Sequence, residues 1–469
     1  MKVVIGLETH VQLNTSTKLF CGCKNPVLEK KEPRPNTLTC PICLGLPGSK
    51  PALNEAVIAK ALSLGAALHC QIAQEVHFSR KSYFYPDLPK NYQITQYEIP
   101  LIGSGSVFLD KKKIHIRRIH IEEDPGRLIH EPSRTLVDYN RSGVPLLEMV
   151  TEPDFQSPKE ARDYLQKLAL ILEYVGLYSP NSRAIIKSDA NISLQRGSKL
   201  GVRVEVKNIT GTKEIEAALS YEVMRQKTLL KRGQSVSRET RSWIPERGAT
   251  METREKEAEE EYGYIFEPDL TPVDVTEALK QSIRKALPEL PDRKKKRFEK
   301  EFALTSALAA ALVSDLEISH LFESLAKTLS PPLAASWVAG YLKKTLNYHN
   351  LRLSQTSISI KDIRYLLGLF EKQKITDKNA EQAIRRMVVE KLPAKEIVKE
   401  YHYQVRRFDL PILLRDVLKQ YPKALEDYKK GSDKPINFFI GKAMEATGGR
   451  VDAKEIKRSL LELLEKDYV

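Results

Sequence analysis

Carboxylates gather in one stretch of this sequence. His120-Ile121-Glu122-Glu123-Asp124 is followed by Asp138 and then by Leu147-Glu148-Met149-Val150-Thr151-Glu152-Pro153-Asp154, inside a chain whose formal net charge is +14. Acid concentrated in a basic protein needs counter-charge. Hard divalent cations take carboxylate oxygens as ligands and leave other positions to water and substrate phosphates, so the run points to a magnesium-assisted step on a polyanion. Solvated carboxylates on a plain surface are the competing reading. Glu148 favours a cleft. It interrupts a short apolar run after the turn residues Ser142-Gly143-Val144-Pro145, and an ionised group in a strand points to solvent or to a partner because unpaired burial is costly.

Other residues could join this chemistry. Glu8 and His10 lie two apart in Gly6-Leu7-Glu8-Thr9-His10, so in a strand both face the same side. Asp189 and Lys207 sit in strand-like polar stretches, Ser188-Asp189-Ala190-Asn191 and Glu205-Val206-Lys207-Asn208. The segment from Ser79 to Gln93 interleaves Arg80, Lys81 and Lys90 with Tyr83, Phe84, Tyr85 and Tyr92. Such interleaving suits stacking on bases while cations meet phosphates, and it equally suits a loop packed against a sheet. Lys111-Lys112-Lys113 and Arg117-Arg118 precede the acids, so a basic rim beside an acid cluster suits a nucleoside triphosphate.

Two cysteine pairs, Cys21-Gly22-Cys23 and Cys40-Pro41-Ile42-Cys43, have knuckle spacing. Four thiolates around one tetrahedral Zn²⁺ is the expectation, although the first pair is one residue shorter than usual. Cys70 ends a helix-like stretch and reads as a core residue. No thiol is then left as an obvious nucleophile. The sequence also lacks a Gly-x₄-Gly-Lys-Ser/Thr loop, a dinucleotide Gly-x-Gly-x-x-Gly, a His-Glu-x-x-His helix and a Gly-x-Ser-x-Gly elbow. An ATP site here must be of another kind.

The elements that position these residues change character along the chain. Up to about residue 290 the sequence is strand-rich, with extended stretches at 2–7, 106–109, 114–121, 146–150, 185–194 and 202–206 and helical ones at 51–70, 158–175 and 214–231. Pro288-Glu289-Leu290-Pro291 and the basic run after it mark a boundary. From 291 to about 408 apolar residues recur at helical spacing, as in Ile363, Leu366, Leu367 and Phe370. A tail from 409 to 469 carries Gly431, Gly441, Gly448 and Gly449 beside Lys and Arg, which suits phosphate contact or plain helix C-caps. A pI near 9.2 favours a nucleic-acid partner. No stretch approaches a membrane span, and the amino terminus reads straight into strand-like sequence, so a cytoplasmic location is expected.

Taken in order, these motifs resemble a family. Gly6 to Val11, Arg80 to Asp87, His120 to Asp124, Asp138 to Leu146, Glu148 to Asp154, Asp189-Ala190-Asn191, Glu205 to Asn208 and Glu267-Pro268-Asp269-Leu270 closely resemble the B subunit of aspartyl/glutamyl-tRNA(Asn/Gln) amidotransferase. The resemblance implies an α+β chain: a β-rich, cradle-like catalytic domain over 1–290 with a zinc knuckle at 21–43, a helical domain over 291–408 and a tRNA-gripping helical tail over 409–469. It implies phosphorylation of the side-chain carboxylate of misacylated Glu-tRNA(Gln) or Asp-tRNA(Asn) with ATP and Mg²⁺. Ammonia from glutamine, released in the amidase (A) partner, then displaces the phosphate, and a small third (C) partner completes the complex.

By the same resemblance, Glu8, His10, Glu123, Glu148 and Asp189 are expected to bind Mg²⁺, with Glu123, Glu148 and Lys81 catalytic. Arg80, Lys81 and Lys207 are expected to meet nucleotide phosphates or tRNA. Glu122, Asp124, Glu152 and Asp154 are expected to support these groups or form turns. The chain departs from the family pattern at Glu261-Tyr262-Gly263-Tyr264-Ile265-Phe266, where an arginine and a proline are missing, at Ile209-Thr210-Gly211, and at Lys187, where an arginine is usual. Arginine and lysine are not interchangeable at forked sites. Two other classes compete: a tRNA-binding scaffold without chemistry, and a metal-dependent nuclease with a basic groove.

Overall fold

The computed structural model describes residues 1–110, 112–254, 263–405 and 408–467. Lys111 and the Glu261-Tyr262 part of the departing motif therefore lie outside the described residues. The chain divides into two compact units, Met1–Leu290 and Pro291–Val469. Together they make an α+β chain with a mixed sheet in the first unit and helices in the second. Among the described residues no helix is long and apolar enough to cross a membrane.

The first unit contains strands β1 (Lys2–Gln12), β2 (Glu75–Val76), β3 (Ser79–Ser82), β4 (Tyr92–Thr95), β5 (Gly105–Leu109), β6 (Lys112–Glu123), β7 (Arg127–Glu131) and β8 (Arg134–Asp138). It continues with β9 (Pro145–Thr151), β10 (Ile186–Gln195), β11 (Val204–Thr210), β12 (Thr240–Ile244), β13 (Ala249–Arg254), β14 (Gly263–Phe266) and β15 (Val273–Asp274). Its helices are α1 (Glu55–Ala67), α2 (Pro158–Tyr174), α3 (Thr212–Lys231) and α4 (Glu277–Ala286). Eight strands form the main sheet in the order β13-β12-β11-β10-β1-β9-β6-β5. All of its neighbours are antiparallel except β11 and β12, which α3 joins in the manner of a crossover helix. A smaller sheet, β14-β3-β4, carries Arg80 and Lys81.

Alternation along the central strands separates core from site. Leu7 and Val11 of β1, Leu147 and Met149 of β9, Ile119 and Ile121 of β6, and Ala190 and Ile192 of β10 are buried in one continuous apolar cluster, which also takes in Leu165 and Leu168 of α2 and Ile215 and Leu219 of α3. Period two then forces Glu8, His10, Glu148, His120, Glu122 and Asp189 onto the other face. The apolar face holds the sheet, at about 25 cal/mol per Å² of buried apolar surface, while the polar face is left for chemistry.

Helix starts follow local capping rules. Ser157 accepts from Glu160 N ahead of Pro158 at the start of α2, and Thr276 accepts from Leu279 N at the start of α4. Each satisfies an orphan donor worth about 1 kcal/mol. Cys70, just beyond α1, packs against the core cluster, and burial pushes its thiol up to about 12. A side chain at Gly105 would meet its Sγ at 2.1 Å, so glycine is required there.

In the second unit one apolar cluster includes Phe298, Phe322, Trp337, Leu366, Ile384 and Ile397, and a separate one includes Leu414, Phe439, Ile456 and Leu460. Two glycines of the tail form a helix C-cap. Gly448 and Gly449, with φ of 60° and 69°, end the helix Lys434–Ala446 through Gly448 N to Glu445 O and Gly449 N to Met444 O, at 3.0 and 2.8 Å. A Cβ at Gly449 would lie 2.7 Å from Asn379 Oδ1. The helix C-cap accounts for this pair without a phosphate.

Candidate active site

Four strands bring the site together at one level of the sheet. Lys187 on β10 faces His10 on β1, His10 faces Glu148 on β9, and Glu148 faces His120 on β6. Glu8 lies one pleat along β1 opposite Asp189, and Glu122 one pleat along β6. The His10 Nε2 atom is 3.4 Å from Glu148, 3.7 Å from Glu8 and 3.9 Å from Glu122. His120 Nε2 is 3.2 Å from Glu148 and 3.7 Å from Glu122. Thus Glu148 is the hinge of two overlapping groups, Glu8/His10/Glu148 and His120/Glu122/Glu148, whose ligand atoms lie within 4.8 Å of one another in each group.

So many acids in one place perturb one another. Burial and then repulsion from Glu148 raise Glu8 to about 7. Burial opposes protonation of His10, but its hydrogen bond to Glu148 and the charges of Glu148, Glu122 and Glu8 outweigh this and take it up to about 10. The same balance brings His120 to about 9. Burial acts upward on Glu148 too, yet His120 and His10 hold it well below the ordinary carboxylate range. Without a cation the acids draw protons onto the imidazoles, and a divalent ion would replace those protons. The Nδ1 atom of buried His120 has no hydrogen-bond partner among the described residues. Three carboxylates fit a hard divalent cation, and two imidazoles admit Mn²⁺ as readily as Mg²⁺.

Not every expected residue joins the cluster. Glu123 is in neither group. Its carboxylate pairs with Lys90 and accepts from Ile94 N at 2.8 Å, while Gln93 Nε2 donates to its carbonyl at 2.8 Å. Alternation separates it from Glu122, which takes its place beside His10. Asp189 is adjacent but engaged: it accepts from Lys207 Nζ at 2.9 Å and Asn208 N at 3.2 Å. A bulge makes this possible, since the β10–β11 register slips at Asp189 and Asn208 takes φ of 63°, a conformation asparagine tolerates. Lys207 thus neutralises Asp189 and lies 3.8 Å from Glu205.

The cations of the small sheet stand elsewhere. Arg80 makes a two-pronged pair with Glu267 at 2.7 and 2.7 Å, reaches Asp269 at 3.3 Å and lies over the Tyr92 ring at 4.3 Å. Its fork is filled by the Glu267 carboxylate. Lys81 on β3 lies 6.0 Å from the Tyr83 ring centroid. Phe84 and Tyr85 of the same loop are exposed.

Sequence reasoning assigns no role to His120 and only a supporting one to Glu122. Period-two spacing from Glu122 back to His120 on one strand is the available signal, the same signal that singles out Glu8 and His10.

A second centre lies in the loops. The Sγ atoms of Cys21, Cys23, Cys40 and Cys43 lie within 4.8 Å of one another. A Zn–S bond of about 2.3 Å in a tetrahedron needs sulfurs about 3.8 Å apart, so the donor set fits zinc after slight contraction. The Cys21 hydrogen bond lowers Cys43 to about 5 against burial, with Lys18 assisting, while its donor Cys21 is raised beyond the thiol range. Fully buried Lys18 places Nζ 3.7 Å from Cys43 Sγ and 3.4 Å from the Tyr139 carbonyl. A buried ammonium here would offset the net negative charge of four thiolates around a divalent ion.

A mixed sheet that gathers acids and imidazoles on one face, in a unit that also clusters four cysteines, defines an α+β protein with groups of side chains that could hold metal ions. A family model described as the GatB/GatE catalytic domain matches residues 3–281, and one described as the GatB domain matches residues 320–464. The B subunit of aspartyl/glutamyl-tRNA(Asn/Gln) amidotransferase from Haloquadratum walsbyi is 41% identical over 486 aligned residues, covering 98% of this chain and 97% of that protein. The B subunit from Methanoregula boonei is 43% identical, covering 98% of each chain, and that from Methanospirillum hungatei is 42% identical, covering 99% of each. The chain belongs to the family of aspartyl/glutamyl-tRNA(Asn/Gln) amidotransferase B subunits.

Proposed function

We propose that this chain is the carboxylate-activating subunit of a tRNA-dependent amidotransferase, a ligase that converts Glu-tRNA(Gln), Asp-tRNA(Asn) or both to the cognate amide at the cost of ATP. The observation that carries this reading is the convergence of Glu8, His10, Glu122 and Glu148 on one face of the central sheet, in a chain of this family. A carboxylate resists direct amidation because hydroxide is a poor leaving group. Transfer of a phosphoryl group to the side-chain carboxylate supplies a better one, and ammonia then expels phosphate.

Glu8, Glu148 and Glu122, with His10, would hold Mg²⁺ or Mn²⁺, which when bound neutralises charge on the transferring phosphoryl group. The protein's own share is positional. β1 and β9 fix His10 against Glu148, Lys207 keeps Asp189 from adding further repulsion, and Lys90 holds Glu123 and with it the end of β6. The zinc knuckle packs near this end through Gly143, where an added Cβ would lie 3.7 Å from Cys43 and 3.9 Å from Glu123. Its role is structural, and its metal is Zn²⁺.

Ammonia comes from the amidase (A) partner, and a small third (C) partner completes a cytoplasmic complex. In this reading residues 1–290 carry the chemistry, residues 291–408 form a helical domain, and residues 409–469, where Lys429, Lys430, Lys434 and Lys442 lie near one another in sequence, grip the tRNA. The test is amide formation on each mischarged tRNA by the reconstituted complex, with the amino acid released and weighed by mass spectrometry. Glutamine or asparagine is expected in ATP-dependent amounts. Unchanged glutamate and aspartate would leave only the scaffold reading.

A further inference from the structure

The two apolar clusters of the second unit stay apart. The one that includes Trp337, Ile384 and Tyr403 shares no residue with the one that includes Phe439, Val451 and Ile456. Polar groups join them instead, and these groups are buried: Thr376 is 8% exposed, Asn379 1% and Thr447 0%.

The start of one helix meets the end of another at this join. Thr376 is the N-cap of the helix Asp377–Glu390 and accepts from Asn379 N at 3.3 Å. Its hydroxyl donates in turn to the Gly449 carbonyl at 2.5 Å, in the turn that closes the helix Lys434–Ala446. Asn379 Nδ2 donates to the Gly448 carbonyl at 3.3 Å and to the Tyr403 carbonyl at 3.4 Å, and Val405 N donates to the Lys374 carbonyl at 2.9 Å. One side-chain amide therefore ties the last part of the first cluster to a helix end of the second. The fit leaves no slack, because a Cβ on Gly449 would meet Asn379 Oδ1.

Directional bonds select an orientation that two separate apolar clusters do not. A tail turned slightly in place would bury the Thr376 hydroxyl and the Asn379 amide without acceptors, and an unmet buried donor costs more than a met one returns. Only one packed arrangement satisfies both.

We propose that Thr376 and Asn379 are positioning residues that lock the tail, from residue 409 onward, in one orientation against the helices of 291–405, the orientation in which it presents tRNA. This rests on the reading above that the tail grips tRNA. A joint that swivels lowers the effective concentration of the charged end at the catalytic face while every ligand contact stays in place. The loss falls on the KM for charged tRNA and not on chemistry.

Thr376→Asp separates the lock from the helix cap. Aspartate still accepts from Asn379 N, but an ionised carboxylate has no proton to donate to the Gly449 carbonyl. Thr376→Ser keeps both bonds, and Asn379→Asp removes the amide donor without changing shape. In the assembled complex, Thr376→Asp and Asn379→Asp are each expected to raise the KM for charged tRNA about five- to tenfold and to leave kcat and the KM for ATP within about twofold, with Thr376→Ser near wild type. Hydrogen exchange at residues 447–451, followed by mass spectrometry without tRNA, is expected to quicken roughly tenfold in the two aspartate variants. Unchanged exchange in both would overturn the proposal, as would a fall in kcat with the KM for charged tRNA unchanged. Faster exchange with wild-type kinetics would leave the lock standing and overturn the reading that the tail grips tRNA.

Discussion

His10 and Glu148 face each other across the β1–β9 ladder, with Nε2 of the histidine 3.4 Å from the carboxylate. Each lowers the electrostatic cost of the other's charge, and a divalent cation between them would release the protons the imidazole now attracts. Glu148→Gln and His10→Ala are each expected to cut tRNA-dependent ADP formation by about 10²–10³-fold. Circular dichroism should show the fold retained. Wild-type rates in either variant would remove the pair from the site.

Glu122 and Glu123 are neighbours in sequence with different fates. Glu122 is 3.9 Å from His10, whereas Glu123 is held by Lys90 and the Ile94 amide. Titration with Mn²⁺ followed by electron paramagnetic resonance is expected to show roughly tenfold weaker binding for Glu122→Gln and near wild-type binding for Glu123→Gln. The opposite order would restore Glu123 as the ligand.

Much of this site is legible in the sequence. The β-branched and aliphatic character of 2–7, 114–121 and 146–150 marks the strands, and the two-residue spacing of Glu8 and His10 puts them on a common face if the first strand runs on through them. The choice between Glu122 and Glu123 is hidden because a strand end offers no later residue to fix the phase. The internal pairing of Arg80 is hidden for another reason: its partner Glu267 is 187 residues away, and no local pattern signals such a pair. His120 escapes notice because only the β6–β9 register sets it against Glu148.

Zinc analysis tests the knuckle. One Zn²⁺ per chain is expected, and its removal by a strong chelator should lower Tm by roughly 10 °C, from several kcal/mol at about 2–4 °C per kcal/mol. Lys18→Met should loosen zinc about tenfold while keeping the buried stem packed. Full retention in that variant would make Lys18 a packing residue alone.

Acid stability of the second unit has its own signal. Burial acts upward on Glu323, but hydrogen bonds from Arg297 and Lys294, the latter at 3.0 Å, hold it below its ordinary value of 4.5. A depressed carboxylate contributes stability above its unfolded-state value and loses it as pH falls through the folded one. Glu323→Gln should therefore cost roughly 0.5–1 kcal/mol at neutral pH, and the gap should close below about pH 4. A gap independent of pH in chemical denaturation would show that charge is not its source.

The central claim is that the Glu148 face activates a tRNA-borne carboxylate with ATP. It is tested most directly by supplying the assembled complex with charged tRNA and free ammonium, which bypasses glutamine, and counting ADP against amide for wild type and Glu148→Gln. The account predicts one ADP per amide in the wild type and neither product in the variant. Amide formed without ADP, or equal yields from both proteins, would contradict it.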